Sequence, residues 1–321
     1  MANNTAAIPV AGVARSSKAQ ASPWRIALRR LFRRRSSILG IIMLSIIVFV
    51  ALFPGLLAPY EPTRVLLDKE PIQLRQAPCI HALGCPADQP QHIMGIDGNG
   101  RDEFSRLLYG ARISLTVGLF TVSFAIVIGT LIGAVAGYVS GWADVLLMRV
   151  MDVMLAFPSF LLAIAIVAAW GPGLLNAMIA IGIVNIPIYA RVTRASVLTI
   201  KEQEFVEASR ALGGSGFHIL LSRVLPNALT PLIVVGTLGI ATAILDAAAL
   251  SFIGFGAQPP TPEWGAMLGQ ERSQIFTAPH LVLFPGIAIM LIVLAFNLLG
   301  DGLRDALDPR LAQSDMGIKQ K

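Results

Sequence analysis

Long apolar stretches separated by polar segments dominate the chain. A helix needs about 20 predominantly apolar residues to cross the hydrocarbon core of a bilayer, and six stretches reach or approach that length. They are Ile38–Tyr60, Ile113–Val139, Val145–Trp170, Leu174–Ala190, Leu229–Phe255 and Leu281–Leu299. The pattern therefore predicts an all-α integral membrane protein with six transmembrane helices.

A basic segment, residues 1–37, precedes the first apolar stretch. It contains seven Arg and one Lys but no Asp or Glu. A cleavable signal peptide has an apolar core of about 7–15 residues, followed by a small-residue cleavage site. The stretch here is longer, and Pro54 and Pro59 break its end. We therefore predict a retained first span over residues 38–60.

Lys and Arg are distributed unevenly among the polar segments. With the amino terminus placed in the cytoplasm, cytoplasmic segments carry 17 Lys and Arg and external segments carry seven. Basic residues favour the cytoplasmic side, so both termini are predicted to be cytoplasmic. The predicted order is then an external loop at 61–112, five further spans within 113–303 that enclose a cytoplasmic loop at 191–227, and a cytoplasmic tail at 304–321.

The composition agrees with a lipid environment. Hydrophobic residues make up 55% of the chain and charged residues 14%, whereas soluble domains carry about 25% charged residues. The net charge of +6 raises the question of nucleic-acid binding. Because the basic residues flank predicted spans, we interpret them as a topology signal and expect no nucleic-acid partner.

Signatures of common enzyme sites are absent from the sequence. No lysine follows a glycine, so the chain has no ATP-binding P-loop, and it has neither a His-Glu-x-x-His zinc helix nor a Gly-x-Ser-x-Gly nucleophile elbow. The four histidines are scattered, and each is expected to be a polar surface or interface residue. We therefore predict no catalytic residue, no metal and no cofactor on this chain.

The loop at 191–227 has a helical pattern. Phe205, Ala208, Ser209 and Leu212 follow the i, i+3, i+4, i+7 spacing of one helical face. The side chains are mostly small, so another protein could approach this face closely. Gly213 stands where a helix is expected to stop.

A second short helix is predicted after the glycines, ending at Leu225. Pro226 would end this helix and could begin the next one. The segment is thus predicted to be a helix-turn-helix that projects from the membrane. The alternative is an ordinary connection between two spans, although such connections are usually shorter and less patterned.

This segment resembles the cytoplasmic loop of ATP-binding-cassette (ABC) importer permeases. That family pattern is Glu-Ala-Ala, three residues, Gly, and then a hydrophobic-Leu-Pro ending. The chain has Glu207-Ala208-Ser209, Gly213 and Val224-Leu225-Pro226 at these positions, with Ser in place of the third residue and Val in place of the usual Ile. The resemblance implies that these residues form a coupling element that docks on an ATPase subunit.

Further motifs resemble the second permease of the peptide and nickel importer group, and dipeptide permeases in particular. The resemblance covers Trp24–Leu311, apart from the segment between the two cysteines. Its motifs are His92–Asp97, Gly100–Asp102, Ser105–Arg112, Arg149–Asp152, Phe157–Ser159, Ile244–Leu250, Gln258–Gly265 and Ala295–Asp305.

The resemblance implies a type I ABC importer permease in a bacterial cytoplasmic (inner) membrane. The expected cargo is dipeptides or short peptides, with nickel chelates, haem or glutathione as alternatives. The expected partners are a homologous second permease, two ABC ATPase subunits that hold ATP and Mg, and an external, periplasmic substrate-binding protein. A less favoured alternative is an ion-coupled secondary transporter, for which the intramembrane charges would have to form a coupling site.

Three charged residues lie within predicted spans. Arg149 and Asp152 are three residues apart in the third span, so a helix would make them neighbours that can pair. They either line the translocation route or form a structural ion pair. Asp246 lies in the middle of the fifth span with no basic residue one turn away, and a route-facing role is one of the alternatives for it.

Two other groups of small residues have predicted structural roles. Gly129, Gly133 and Gly137 recur every four residues in the second span, a spacing that lets helices pack closely. Cys79 and Cys85 are the only cysteines and lie in the predicted external loop. An oxidising compartment would permit a disulfide between them, and two free thiols are the alternative.

Overall fold

A computed structural model describes residues 28–307 of the protein, and all the regular secondary-structure elements in this range are helices. Two isolated β-bridges, Cys79 with His92 and Ile96 with Asp102, join parts of one loop. The helices are α1 (Arg35–Leu52), α2 (Pro54–Leu57), α3 (Glu103–Val139), α4 (Gly141–Leu155), α5 (Ser159–Trp170), α6 (Leu174–Ile200), α7 (Glu204–Ala211), α8 (Gly216–Ile219), α9 (Leu225–Phe252), α10 (Trp264–Glu271) and α11 (His280–Leu307).

Within residues 28–307, five helices are long and apolar enough to cross a membrane, and a sixth crossing results if α4 and α5 together form one span. The long helices are α1, α3, α6, the continuous helix Gly216–Phe252, and α11. The prediction of an all-α membrane protein is confirmed.

The third predicted span is not a straight helix. The chain bends by 89° between α4 and α5, where Pro158 adopts an extended conformation just before α5. Proline has no N–H to donate and disfavours helical geometry in the residue before it. Continuous hydropathy from Val145 to Trp170 therefore concealed a break in direction.

The second and fourth spans are longer than predicted. α3 begins at Glu103, ten residues before Ile113, because the Asp102 carboxylate accepts hydrogen bonds from Ser105 N (2.8 Å) and Ser105 Oγ (2.7 Å). This is an N-cap, which satisfies backbone donors that have no partner within the helix. α6 continues from Ala190 to Ile200, so part of each predicted loop is helical.

Helices α3 and α6 run parallel and make the largest helix–helix contact. The glycine stripe of α3 lies in this contact. A Cβ atom on Gly129 would lie 2.7 Å from Tyr189 Cβ, and one on Gly133 would lie 2.3 Å from Ala190 O. A Cβ on Gly137 would lie 3.0 Å from Arg194 O. The missing side chains therefore let the two backbones meet.

Helices α9 and α11 pack beside this pair, and α1 lies against α11 and α3 at the periphery. The loops at 58–102 and 253–279 meet at one end of the bundle, which we call the disulfide end because Cys79 and Cys85 are bonded there, with Cα atoms 5.4 Å apart. Residues 201–215 lie at the opposite end.

Candidate functional site

The segment that follows α6 at the opposite end is anchored by buried apolar side chains. Val206, Ile219 and Val224 are at most 1% exposed. They form a cluster with Val197 and Ile200 at the end of α6. The segment is therefore held against the membrane helices at several points along its length.

The turn after α7 has the geometry of a Schellman motif. Gly213 N donates to Arg210 O (2.9 Å), and Gly214 N donates to Ser209 O (3.1 Å). Gly213 has φ +84°, a left-handed conformation that glycine adopts without strain. Together these bonds satisfy the last carbonyls of α7 and fix the direction in which the chain leaves it.

The second half of the segment differs from the prediction. Ser215 Oγ accepts from His218 N at the start of α8, but the helix does not end at Pro226. It continues from Gly216 to Phe252 through a π-helical stretch, Leu220–Val224, closed by the Leu225 N–H bond to Leu220 O. Wider π-helical spacing accommodates a proline, which has no N–H to donate.

The outer face of the segment carries exposed apolar side chains. Phe205 is 40% exposed, Leu212 is 89% exposed and Phe217 is 74% exposed. We call this segment, residues 201–224, the anchored turn. Large apolar groups that project from such a rigidly held segment are typical of a surface that another protein covers. The residues of the predicted coupling pattern divide between this face and the anchor: Glu207, Ala208, Gly213 and Pro226 are exposed, Ser209 and Leu225 are half-buried, and Val224 is buried.

A cavity of about 390 Å³ opens between α4 and α6, and its polar lining is four charged side chains. Arg194 donates to Asp144 from two of its guanidinium nitrogens, Nε to Oδ1 at 2.5 Å and Nη2 to Oδ2 at 2.6 Å. Arg191 Nη2 binds Asp152 Oδ1 at 2.6 Å. The cavity thus holds two cations and two anions in two ion pairs.

The predicted pairing of Arg149 with Asp152 is wrong. Asp152 forms its ion pair with Arg191, which is 39 residues away in the chain. Arg149 is exposed and does not line the cavity. Packing of α4 against α6 brings the Arg191 guanidinium to Asp152, and this contact prevails over the neighbour three positions along the same helix.

Asp246 is half-buried in α9, two turns before the helix ends at Phe252. Among residues 28–307 no ion pair with Asp246 is found. Its position in the sequence of α9 places it close to the carboxyl-terminal end of the helix, toward the disulfide end of the bundle. Neither the cavity nor the anchored turn includes it.

At the disulfide end, His92 corrects the expectation that the histidines lie at surfaces or interfaces. Its side chain is fully buried, with Nδ1 2.8 Å from Asp102 Oδ1 and Nε2 3.1 Å from Glu70 Oε2. Burial disfavours the charged imidazole, but the hydrogen bond and charge of Asp102, together with Glu70, outweigh burial and raise the pKa of His92. A protonated ring can donate to both carboxylates at once.

An ionic network attaches the loop at 58–102 to α10. Arg75 Nε donates to Glu271 Oε2 (2.8 Å), while Gly98 N donates to Glu271 Oε1 (2.9 Å). The Asp97 carboxylate accepts from Arg101 Nε at 2.7 Å. The two loops of the disulfide end are therefore cross-linked into one structural unit.

Sequence reasoning missed the residues whose partners are distant in the chain, namely Asp144, Arg191, Arg194, Glu70 and His92. One signal was available for the cavity. Arg191 and Arg194 are one turn apart on α6 and therefore share a face of this helix. Charged residues in a spanning helix normally face protein or water, so this face was a candidate for a polar site. Within residues 28–307, no cluster of three or more His, Cys, Asp or Glu side chains could hold a metal ion.

Comparisons with known proteins agree with this architecture. Residues 129–313 match the family of binding-protein-dependent transport system inner membrane components, and residues 22–78 match the N-terminal transmembrane domain of oligopeptide transport permease C. Over 290 residues, covering 90% of this chain and 91% of each relative, the chain is 48% identical to a dipeptide transport system permease protein of Alkalihalophilus pseudofirmus and 46% identical to a glutathione transport system permease protein of Escherichia coli.

A solved structure of the MetNI methionine ABC transporter in an inward-facing conformation shares the fold. The TM-score is 0.52 at 19% sequence identity, covering 64% of this chain and 97% of the other. The family match extends over more than half of the chain, and the curated relatives cover nearly all of it. The chain therefore belongs to the inner-membrane permease subunits of binding-protein-dependent ABC transport systems, in the dipeptide and oligopeptide group.

Proposed function

We propose that the chain forms part of the membrane pathway of an ATP-driven importer of dipeptides or other short peptides. The two curated relatives are named for a dipeptide and for glutathione, and glutathione is itself a tripeptide. Their shared cargo chemistry is a short peptide with a free amino group and free carboxylates. This shared chemistry favours short peptides over nickel chelates or haem as the cargo.

The proposed orientation places residues 201–215 and both termini in the cytoplasm. The Cys79–Cys85 disulfide supports this orientation, because disulfides persist in oxidising compartments such as the periplasm and are rare in the cytosol. The excess of basic residues in the segments assigned to the cytoplasm supports it independently.

The observation that carries the proposal is the exposed apolar face of the anchored turn. Leu212 and Phe217 project from a segment whose inner side is fixed by Val206 and Ile219. An ATPase subunit with a complementary cleft would cover this face, and movement of the ATPase would pass directly to α6 and α9. Glu207, Ala208, Ser209 and Gly213 lie at the centre of this proposed coupling element.

The complete importer would need further subunits. A homologous second permease would supply the other half of the pathway, two ATPase subunits would hold ATP and Mg, and an external binding protein would deliver cargo. Closure of the ATPases on ATP would draw the docked turns together. The helices would then switch the transport pathway from its inward-facing to its outward-facing state. Hydrolysis on the ATPases would reset the cycle.

The proposal can be tested by co-purification and uptake. The chain would be expressed with its candidate partner subunits, isolated through a tag in mild detergent and reconstituted into liposomes. We expect ATPase subunits and a second permease to co-purify, and dipeptide uptake to require ATP and the binding protein. Uptake driven by an ion gradient without ATP would contradict the proposal.

A further inference from the structure

The charged cavity between α4 and α6 lies outside the proposed coupling element. The Arg191 and Asp152 side chains are about half exposed, at 50% and 51%, although both lie on helices that belong to the membrane-spanning bundle. Charged groups within a membrane face protein or water and avoid hydrocarbon. The cavity mouth therefore faces an aqueous space or another subunit, as the wall of a transport route does.

The two ion pairs differ in how firmly they are held. Arg194 donates two parallel hydrogen bonds to Asp144, and the Asp144 side chain is only 15% exposed. Arg191 reaches Asp152 through a single contact in an exposed setting. Water and dissolved ions compete effectively with exposed pairs of this kind. The first pair is a fixed part of the wall, whereas the second can open at low cost.

We propose that the Arg191–Asp152 pair is an exchange site for the termini of a zwitterionic peptide, an inference that rests on the proposed function. The Asp152 carboxylate would take the peptide's ammonium group, and the Arg191 guanidinium would take its carboxylate. The cargo replaces one ion pair with two, and the net charge of the cavity stays the same. A zwitterion is the one cargo class that satisfies both freed partners together.

The dimensions and lining of the cavity fit a short peptide. Two extended residues span about 7 Å, and a volume of about 390 Å³ lies within the range of about 300–1,000 Å³ typical of small-molecule sites. Val145 and Met148 form the apolar part of the lining. Methionine adapts its shape to different neighbours, so the site would read the charged termini and tolerate varied side chains.

The site is also connected to the proposed coupling element. Arg191 and Arg194 lie on α6, which ends at Ile200 just before the anchored turn. Lys201 Nζ donates to Gly137 O (3.0 Å) and Ser140 Oγ (2.7 Å), next to the start of α4. A shift of α6 against α4 would therefore change the cavity and the turn together, so that cargo could be released as the importer switches state.

The test measures which terminus each side chain recognises. Binding of tritiated alanyl-alanine to the purified, assembled importer without its binding protein would be competed by the unmodified, N-acetylated and C-amidated dipeptides. In the wild type we expect each cap to weaken competition by roughly ten- to a hundredfold, the effect of losing one charged hydrogen bond. Asp152→Asn should abolish discrimination against the acetyl cap alone, and Arg191→Gln discrimination against the amide cap alone.

Matched variants separate recognition from structure. Asp301→Asn removes an exposed carboxylate from α11 that does not line the cavity, and it should leave both discriminations intact. The double variant Asp152→Asn with Arg191→Gln keeps a neutral hydrogen-bonding pair and should lose both. If the single variants co-purify with their partners and still discriminate against both caps, the pair only holds α4 to α6 and the exchange site is wrong.

Failure of the proposed function would give a different result. A wild-type importer that neither binds nor transports any dipeptide would remove the short-peptide assignment and the exchange site with it. A wild-type importer that transports dipeptides while the variants discriminate normally would overturn the exchange site alone.

Discussion

The His92 imidazole lies 2.8 Å from the Asp102 carboxylate, and Asp102 is also the N-cap of α3. The same carboxylate group thus begins α3, one of the two longest helices of the bundle, and binds the most deeply buried histidine of the loop. Glu70 closes the other side of the ring at 3.1 Å. Protonation of one side chain therefore affects how the disulfide end is attached to the spanning helices.

The first prediction concerns the pH dependence of this attachment. The pKa of His92 is raised in the folded protein relative to about 6.5 for a free imidazole. Its stabilising contribution is fully present below the unfolded pKa and is lost as pH rises through the folded pKa. Hydrogen-exchange protection of residues 70–105 should therefore fall as pH rises from about 6.5 through the raised pKa of His92, after correction for the intrinsic exchange rate.

His92→Gln should remove most of this pH dependence, because a neutral amide does not titrate. It should also lower stability by about 1–3 kcal/mol for each buried partner left unsatisfied. His81→Gln is the matched control, since His81 is exposed in the same loop. An unchanged pH profile in His92→Gln would show that another group is responsible.

The second prediction concerns the α3–α6 contact. A Cβ on Gly133 would lie 2.3 Å from Ala190 O, a backbone atom that can move only if the helices separate. Gly133→Ala should therefore lower the free energy of unfolding in mild detergent by about 1–3 kcal/mol, as overpacking does.

Gly286→Ala is the control for this substitution. A Cβ at Gly286 meets no heavy atom within 4 Å, so alanine should be neutral or slightly stabilising in this helix. Equal losses of stability in the two variants would indicate that close packing at Gly133 is not the cause.

The third prediction concerns the disulfide. Cys79 and Cys85 are six residues apart, and closing so short a loop contributes about 2 kcal/mol in the chain-entropy account. Replacing both residues with serine should lower the stability of the disulfide end by about that amount, measured by thermal unfolding. ATP-dependent uptake at low temperature should persist, because the bond lies at the opposite end from the anchored turn. Complete loss of uptake in a variant that still assembles would contradict this.

Features encoded locally in the sequence were predictable. The apolar stretches predicted the spanning helices because a bilayer requires long runs of apolar residues. The four-residue spacing from Gly129 to Gly137 placed these glycines on one helical face, which contacts α6 in the structure. The stop signal at Gly213 matches the end of α7, because a left-handed turn there favours glycine.

Features that depend on distant contacts were not predictable. Asp152 was paired with Arg149 from helical spacing, but its partner Arg191 comes from α6, and spacing within one helix contains no information about that packing. The burial of His92 was not predictable, because neither Glu70 nor Asp102 adjoins it in sequence. The bend at Pro158 was missed because hydropathy measures composition and not the direction of the chain.

The last prediction concerns Gly213, where the backbone and not the side-chain space is decisive. A Cβ there meets no atom within 4 Å, but φ is +84°, which costs about 1–2 kcal/mol for most L-residues. Gly213→Val should distort the turn and reduce co-purification of the ATPase subunits, whereas Gly213→Asn, which tolerates the left-handed region, should retain them. If asparagine fails as completely as valine, any side chain blocks the docked surface. If valine binds normally, the turn is not the coupling element.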